Sequence, residues 1–302
     1  MVCYIQKDIF NYNITSHIIN NFSPDIIEIN HYKDIFNRSR QNFNYQKSKN
    51  VLILAKKDKN FLYKGSKFCN SRGYENFYYS TQILGCLYNC EYCYLGGVFP
   101  SGYSVIFVNE DDFIASAEKL KNAFVPISYE TDLLAYEGIY PFHKKWIDLA
   151  RRREDLLIES RTKSANVDKL PDNPPKNFIL TFSLNPSEIV KFEKKTPSLE
   201  KRIKAIQKAI SKGYRIELAI DPIIKTPNFY QIYRNFITYL KDNLDLKHIP
   251  IEIGAFRLNA DYLKKLRKTH LSEIVYYPFK IENKTAKYED EEKIVNFVKS
   301  LL

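Results

Sequence analysis

The 302-residue chain predicts an α/β fold, a partial (β/α)6 TIM-like barrel preceded by an N-terminal extension. From Tyr79 onward, short apolar or β-branched runs alternate with amphipathic stretches, the pattern of βα units feeding a parallel sheet. Candidate strands recur at Ser104 to Asn109, Asp155 to Ser160, Asn177 to Ser183, Tyr214 to Ile220, Pro250 to Phe256 and Glu273 to Tyr277. The length also suits one barrel of about 250 residues with an extension.

Residues 1–78 are rich in Asn, Tyr, Phe and Lys and show little periodicity, apart from the run Val51-Leu52-Ile53-Leu54-Ala55. They are assigned to the extension, and residues 79–302 to the barrel. After the first candidate strand, Asn109-Glu110-Asp111-Asp112 places acidic residues where a helix dipole favours them, and the helix continues through Phe113, Ala117 and Leu120. The clearest helix starts at Ser198, a side chain suited to cap it. Leu199, Ile203, Ile206 and Ile210 recur at helical spacing, and Gly213 closes it. The last helix, about Glu289 to Leu302, carries Ile294, Phe297, Val298 and Leu301 on one face.

Composition narrows the function. The formal charge of +11 and pI near 9.2 can gather polyanions such as nucleic acid, although lysines spread along the chain equally solvate helix faces. No run approaches the roughly 18 apolar residues of a membrane span. The N-terminus lacks the order of a signal peptide, so a cytoplasmic protein with no membrane partner is expected. Of five cysteines, three fall within eight residues, which in a reducing compartment points to metal or thiol chemistry.

That cluster reads Gly85-Cys86-Leu87-Tyr88-Asn89-Cys90-Glu91-Tyr92-Cys93-Tyr94-Leu95. Three thiolates on one tight loop can ligate three corners of a [4Fe-4S] cluster and, without a fourth cysteine nearby, leave one iron open to a chelating ligand. The competing readings are an unliganded loop and a structural zinc site. Zinc normally takes four Cys or His ligands, and His17, His31, His143, His248 and His270 show no ligand spacing to the cysteines.

The CxxxCxxC spacing with an aromatic before its last cysteine resembles the radical S-adenosylmethionine superfamily. Within it, Tyr92-Cys93-Tyr94-Leu95 resembles the spore photoproduct lyase family. The likeness continues in the Val105-Ile106-Phe107-Val108 strand leading into Asn109, in Thr162-Lys163 and Val167-Asp168, in Phe182-Ser183-Leu184-Asn185, in Gly213-Tyr214 and Pro222-Ile223, and in Tyr288-Glu289-Asp290-Glu291-Glu292. The resemblance implies that Cys86, Cys90 and Cys93 hold the cluster and that S-adenosylmethionine chelates its open iron, with Tyr92 beside the adenine. Reduction of the cluster, by a flavodoxin- or ferredoxin-like donor, would then give a 5′-deoxyadenosyl radical that abstracts hydrogen from substrate. Lys163 would engage the cofactor's carboxylate or ribose, and Ser183, Thr131 and Asp132 would make polar contacts around the nucleoside.

The chain departs from that family at two places. The family's hydrogen-donating cysteine is replaced in Ile127-Ser128-Tyr129-Glu130-Thr131-Asp132 by Tyr129, whose O–H bond is about as weak as a thiol S–H; Tyr92 and Tyr94 retain a relay role. The family's long basic hairpin is reduced to Tyr276 to Lys287, with three lysines and three aromatics that can contact phosphates and stack on bases. Of the spare thiols, Cys3 and Cys69, Cys69 is kept as a minor donor candidate. The expected function is hydrogen abstraction on a DNA or nucleotide substrate. The alternatives are modification of a peptide or small metabolite, and a non-enzymatic metal-containing nucleic-acid-binding protein.

Overall fold

The computed structural model describes residues 1–66 and 71–302; Cys69 lies outside the described residues. The fold is mixed α/β, and most of its strands belong to two largely parallel sheets. The first sheet has the order Asp25–Ile29, Val2–Gln6, Val51–Ala55, Ser104–Phe107, Ile83–Leu84, parallel except for the last pair. Ser104–Phe107, expected among the barrel strands, is therefore joined to strands from the N-terminal segment. Its four residues are all buried, as a central strand covered on both faces requires. The N-terminal segment, read as poor in periodicity, supplies three of the five strands. They are short and separated by helices Asn13–Phe22, Lys33–Phe36 and Phe43–Ser48, and Val2–Gln6 pairs in parallel with the other two. Cys3 sits in that core as a small apolar residue, its thiol pushed up to about 11 by burial.

The second sheet runs from Ile251–Ala255 through Arg215–Ile223, Phe178–Ser183, Leu156–Thr162, Ala123–Pro126 and Asn76–Ser80 to Leu62–Lys64. Its neighbours are parallel except for the last pair, and its strands form an ordered row with two edges among the described residues. Four of the candidate strands are found here within a few residues of their expected bounds; Asn76–Ser80 and Ala123–Pro126 are additions. Glu273 to Tyr277 is not a strand but a turn. The guanidinium of Arg267 donates to the carbonyls of Val275, at 2.7 Å, and Tyr277, so a side chain replaces the expected ladder partner.

Side-chain alternation gives this sheet two characters. Leu156, Ile158 and Ser160 join the main core, against helix His143–Arg152, whereas Leu157, Glu159 and Arg161 lie on the opposite face. On that opposite face Phe77, Phe124, Leu157 and Ile179 make a small apolar floor. Beyond it, Arg72 bridges Glu159, at 2.9 Å, and Glu217 from neighbouring parts of the sheet.

Helix Leu199–Ser211 forms as expected, with the Ser198 hydroxyl accepting from the Lys201 amide. Its buried stripe is rotated from the expected one: Ile210 is exposed, while Arg202, Ala205 and Ala209 are buried beside Leu199, Ile203 and Ile206. The last helix spans Glu291–Ser300. Before it, Lys280–Glu282 and Thr285–Lys287 form a hairpin whose turn residues Asn283 and Lys284 both have positive φ, 48° and 61°, the signature of a type I′ turn. The reduced Tyr276 to Lys287 segment thus ends in a built hairpin that presents Lys280, Lys284 and an exposed Ile281.

Candidate active site

The cysteine loop begins at Gly85, whose φ of +81° an L side chain rarely adopts; a Cβ there would meet the Tyr103 carbonyl at 3.0 Å. Tight hydrogen bonds then shape the loop. The Tyr88 amide donates to Cys86 Sγ at 3.4 Å, the Cys93 amide to the Cys90 carbonyl at 3.1 Å, and the Gly96 amide to the Cys93 carbonyl at 3.1 Å. Cys90 pairs with Glu193 in a short antiparallel bridge, which ties the loop to the segment after Phe178–Ser183.

Cys86, Cys90 and Cys93 are unpaired thiols lining one pocket with Lys47, Tyr88 and His270. Burial, with Asp132 nearby, pushes Cys86 up to about 12, and burial raises Cys90 and Cys93 as well. Any metal centre held here would have to displace thiol protons. The sulfurs influence one another's charge, yet among the described residues no three His, Cys, Asp or Glu side chains are gathered closely enough to hold one ion. Three thiols on one loop are the donor set of a cluster with one open iron, whereas a structural zinc takes a fourth ligand. His270, which shows no ligand spacing in sequence, is brought by the fold to the pocket wall, edge-on to Phe43 at 6.5 Å.

Beneath the loop lies a polar network. The Tyr92 hydroxyl donates to Glu193, Arg202 pairs with the same carboxylate at 2.5 Å, and Asn185 Nδ2 reaches both Tyr92 Oη and Glu193 at 3.2 Å. Arg202 also donates to the Ser183 carbonyl at 3.2 Å, and Lys163 Nζ lies 3.7 Å from Glu193. Burial opposes ionisation of Glu193, but Lys163 and Arg202 outweigh it and hold the carboxyl below its ordinary value. Glu193 and Arg202 carried no signal in the sequence, since an acidic loop residue and an arginine in a basic helix look solvent-facing.

The other predicted residues fall around this network. Asp132 Oδ1 accepts from Thr162 Oγ1 at 2.7 Å and from the Ala135 amide at 3.2 Å, while Oδ2 accepts from the Lys163 amide at 2.7 Å. Its carboxylate thus joins two strand ends. Thr131 is buried beside the Tyr136 phenol. Tyr94 donates its hydroxyl to the Tyr129 carbonyl, which links the cysteine loop to the strand end bearing Tyr129. The Tyr129 ring stacks on Tyr79 at 4.3 Å and 22°, and Tyr79 stacks in turn on Tyr63 at 5.8 Å. The Tyr79 contact was missed in sequence because the Tyr78-Tyr79 pair gives no sign of which ring faces inward. Lys47 was missed as well: its ammonium donates to the Cys86 carbonyl, and burial pulls it below the ordinary lysine range.

Comparison with known proteins gives the family and the fold. The spore photoproduct lyase family model matches residues 1–282. A spore photoproduct lyase from Clostridium acetobutylicum is 29% identical over 200 residues, covering 62% of this chain and 58% of the relative. One from Geobacillus sp. is 27% identical over 187 residues, covering 57% and 54%. The matched stretch therefore spans little more than half the length of these curated relatives. In three dimensions the chain resembles a spore photoproduct lyase complexed with dinucleoside spore photoproduct, with a TM-score of 0.84 at 19% identity over 99% of this chain and 94% of the other. A substituted spore photoproduct lyase with bound AdoMet and the same dinucleoside gives 0.82 at the same identity and coverage. These likenesses support the mixed α/β fold with its parallel sheets. Among the described residues no helix is long and apolar enough to cross a membrane.

Proposed function

The chain belongs to the spore photoproduct lyase family, and from that membership we propose that it is a radical S-adenosylmethionine enzyme acting by hydrogen abstraction on a thymine photoproduct in DNA or a related nucleotide substrate. The observation that carries the reading is the convergence of Cys86, Cys90 and Cys93 on one pocket beside the Tyr92, Lys163 and Ser183 network. Cys86, Cys90 and Cys93 hold a [4Fe-4S] cluster, which together with S-adenosylmethionine supplies one-electron hydrogen-atom abstraction. Lys163 orients the cofactor's carboxylate, and Ser183 and Thr131 frame its nucleoside beside Tyr92. Asp132, engaged by its own chain, fixes Lys163 and Thr131 in place. Tyr129 stands where the family has its hydrogen-donating cysteine, with Tyr94 bridging it to the cluster loop.

The second sheet serves as a partial barrel, substrate lying over the face that carries Leu157, Glu159 and Arg161. The hairpin at Asn283 and Lys284 contacts nucleic acid phosphates, and a flavodoxin- or ferredoxin-like protein supplies electrons in a cytoplasmic setting. Anaerobic reconstitution followed by dithionite and S-adenosylmethionine should yield 5′-deoxyadenosine, and Cys90→Ala should abolish it; cleavage surviving that substitution would sink the proposal. With dinucleoside spore photoproduct, thymine release identifies the repair reaction, and Tyr129→Phe should lower that release at least tenfold while leaving cofactor cleavage intact. The replacement of the cysteine by Tyr129 also favours a second reading, modification of a peptide or small metabolite. Cofactor cleavage without thymine release in the wild type selects it.

A further inference from the structure

Lys47 is a buried cation beside the cysteine loop. It lies near the end of helix Phe43–Ser48, which Asn42 caps by accepting from the Tyr45 amide at 2.9 Å. The helix is pressed against the chain at Gly102, where a Cβ would meet the Phe43 carbonyl at 2.4 Å and the Lys47 amide at 3.1 Å. Gln46 fastens it further by accepting from the Gly102 amide at 2.8 Å. The Lys47 side chain is thus held on the wall of the cysteine pocket, its ammonium on the Cys86 carbonyl and 5.5 Å from the Phe43 ring centre.

Among the described residues no carboxylate lies within ion-pair distance of that ammonium, and Lys195, whose own ammonium donates to the Lys47 carbonyl, adds a second positive charge nearby. Burying an unpaired ammonium costs more than one hydrogen bond to a carbonyl returns. Cys86, Cys90 and Cys93 line the same pocket, and the charge they would carry as ligands of a metal centre is the one placed to offset it. Three thiolates give a [4Fe-4S] centre a net negative charge, and each added electron increases it.

Resting on the reading that this loop carries such a cluster, we propose that Lys47 sets its reduction potential, stabilising the reduced state by offsetting its extra negative charge. The test is an EPR-monitored redox titration of anaerobically reconstituted wild type, Lys47→Gln and Lys47→Arg. Glutamine can still donate to the Cys86 carbonyl but carries no charge; arginine keeps the charge. At a fixed potential, Lys47→Gln with wild-type iron and sulfide content should show a reduced-to-oxidised ratio at least tenfold lower, a shift of about 59 mV for a one-electron couple. Lys47→Arg should stay within about twofold of wild type. Loss of the cluster in Lys47→Gln but not in Lys47→Arg overturns the proposal, because the charge would then serve assembly of the centre and not its potential. An unchanged potential in fully loaded Lys47→Gln overturns the proposal, as does cluster loss in both variants, which would make Lys47 a prop for the loop alone. A wild type that assembles no iron–sulfur centre overturns the underlying reading instead.

Discussion

Two sealed polar networks in this molecule use similar groups to opposite ends. In one, Glu193 gathers Arg202, Tyr92 and Asn185 beneath the cysteine loop. In the other, the Ser160 hydroxyl lies 2.8 Å from His143 Nε2, and His143 Nδ1 meets Glu137. The second has the order of a nucleophilic triad, serine to histidine to carboxylate. Yet Ser160, His143 and Glu137 are all buried, on the sheet face that joins the main core, with the imidazole edge-on to Phe178 at 6.2 Å. No substrate carbonyl can approach that hydroxyl, so the triad serves as a rivet between a strand and helix His143–Arg152. The first network is equally buried, but its members continue into groups on the cysteine pocket and at strand ends. Chemistry follows from which face a polar group is sealed behind, more than from the set of groups.

This contrast can be broken by substitution. Arg202→Met leaves Glu193 without its buried partner and should cost about 3–5 kcal/mol in urea unfolding. It should also abolish 5′-deoxyadenosine formation; a variant with normal cleavage would remove the link between this network and the cluster loop. The acid limb of stability should change as well. Because the Glu193 carboxyl is held below its ordinary value of 4.5, its contribution is full above that value and lost as pH falls through the folded one. In Arg202→Met that loss should flatten, as measured by unfolding between about pH 5 and pH 2.

His143→Ala should cost less, about 2–4 kcal/mol, from a cavity and two stranded partners, with cofactor cleavage per loaded cluster unchanged. Ser160→Ala is the mildest, about 1 kcal/mol. Any ester hydrolysis by the wild type that disappears in Ser160→Ala would show that the buried triad is reachable after all.

The spacing of Cys86, Cys90 and Cys93 was legible in sequence because three cysteines on one loop are a local feature. So were the strands near 155–160, 177–183, 214–220 and 250–256 and the helix after Ser198, whose periods of alternation and capping are written in consecutive residues. The Glu273 to Tyr277 run misled because a short apolar stretch reads the same whether its carbonyls meet a strand or the guanidinium of Arg267. Arg202 and Lys47 look like solvated surface in sequence, and only their distant neighbours make them buried. The N-terminal strands pair with one another across intervening helices, and Ser104–Phe107, some fifty residues beyond Val51–Ala55, extends their sheet, neither of which is written in consecutive residues.

By itself, then, the sequence determined the spacing of the three loop cysteines and the βα rhythm of the second half, since both depend on neighbours along the chain. Only the tertiary structure decided which charges lie sealed around the cysteine loop, that Tyr129 stacks on Tyr79, and that a serine–histidine–glutamate row faces the core. Those outcomes depend on burial, and burial is decided by what the rest of the chain packs against a residue.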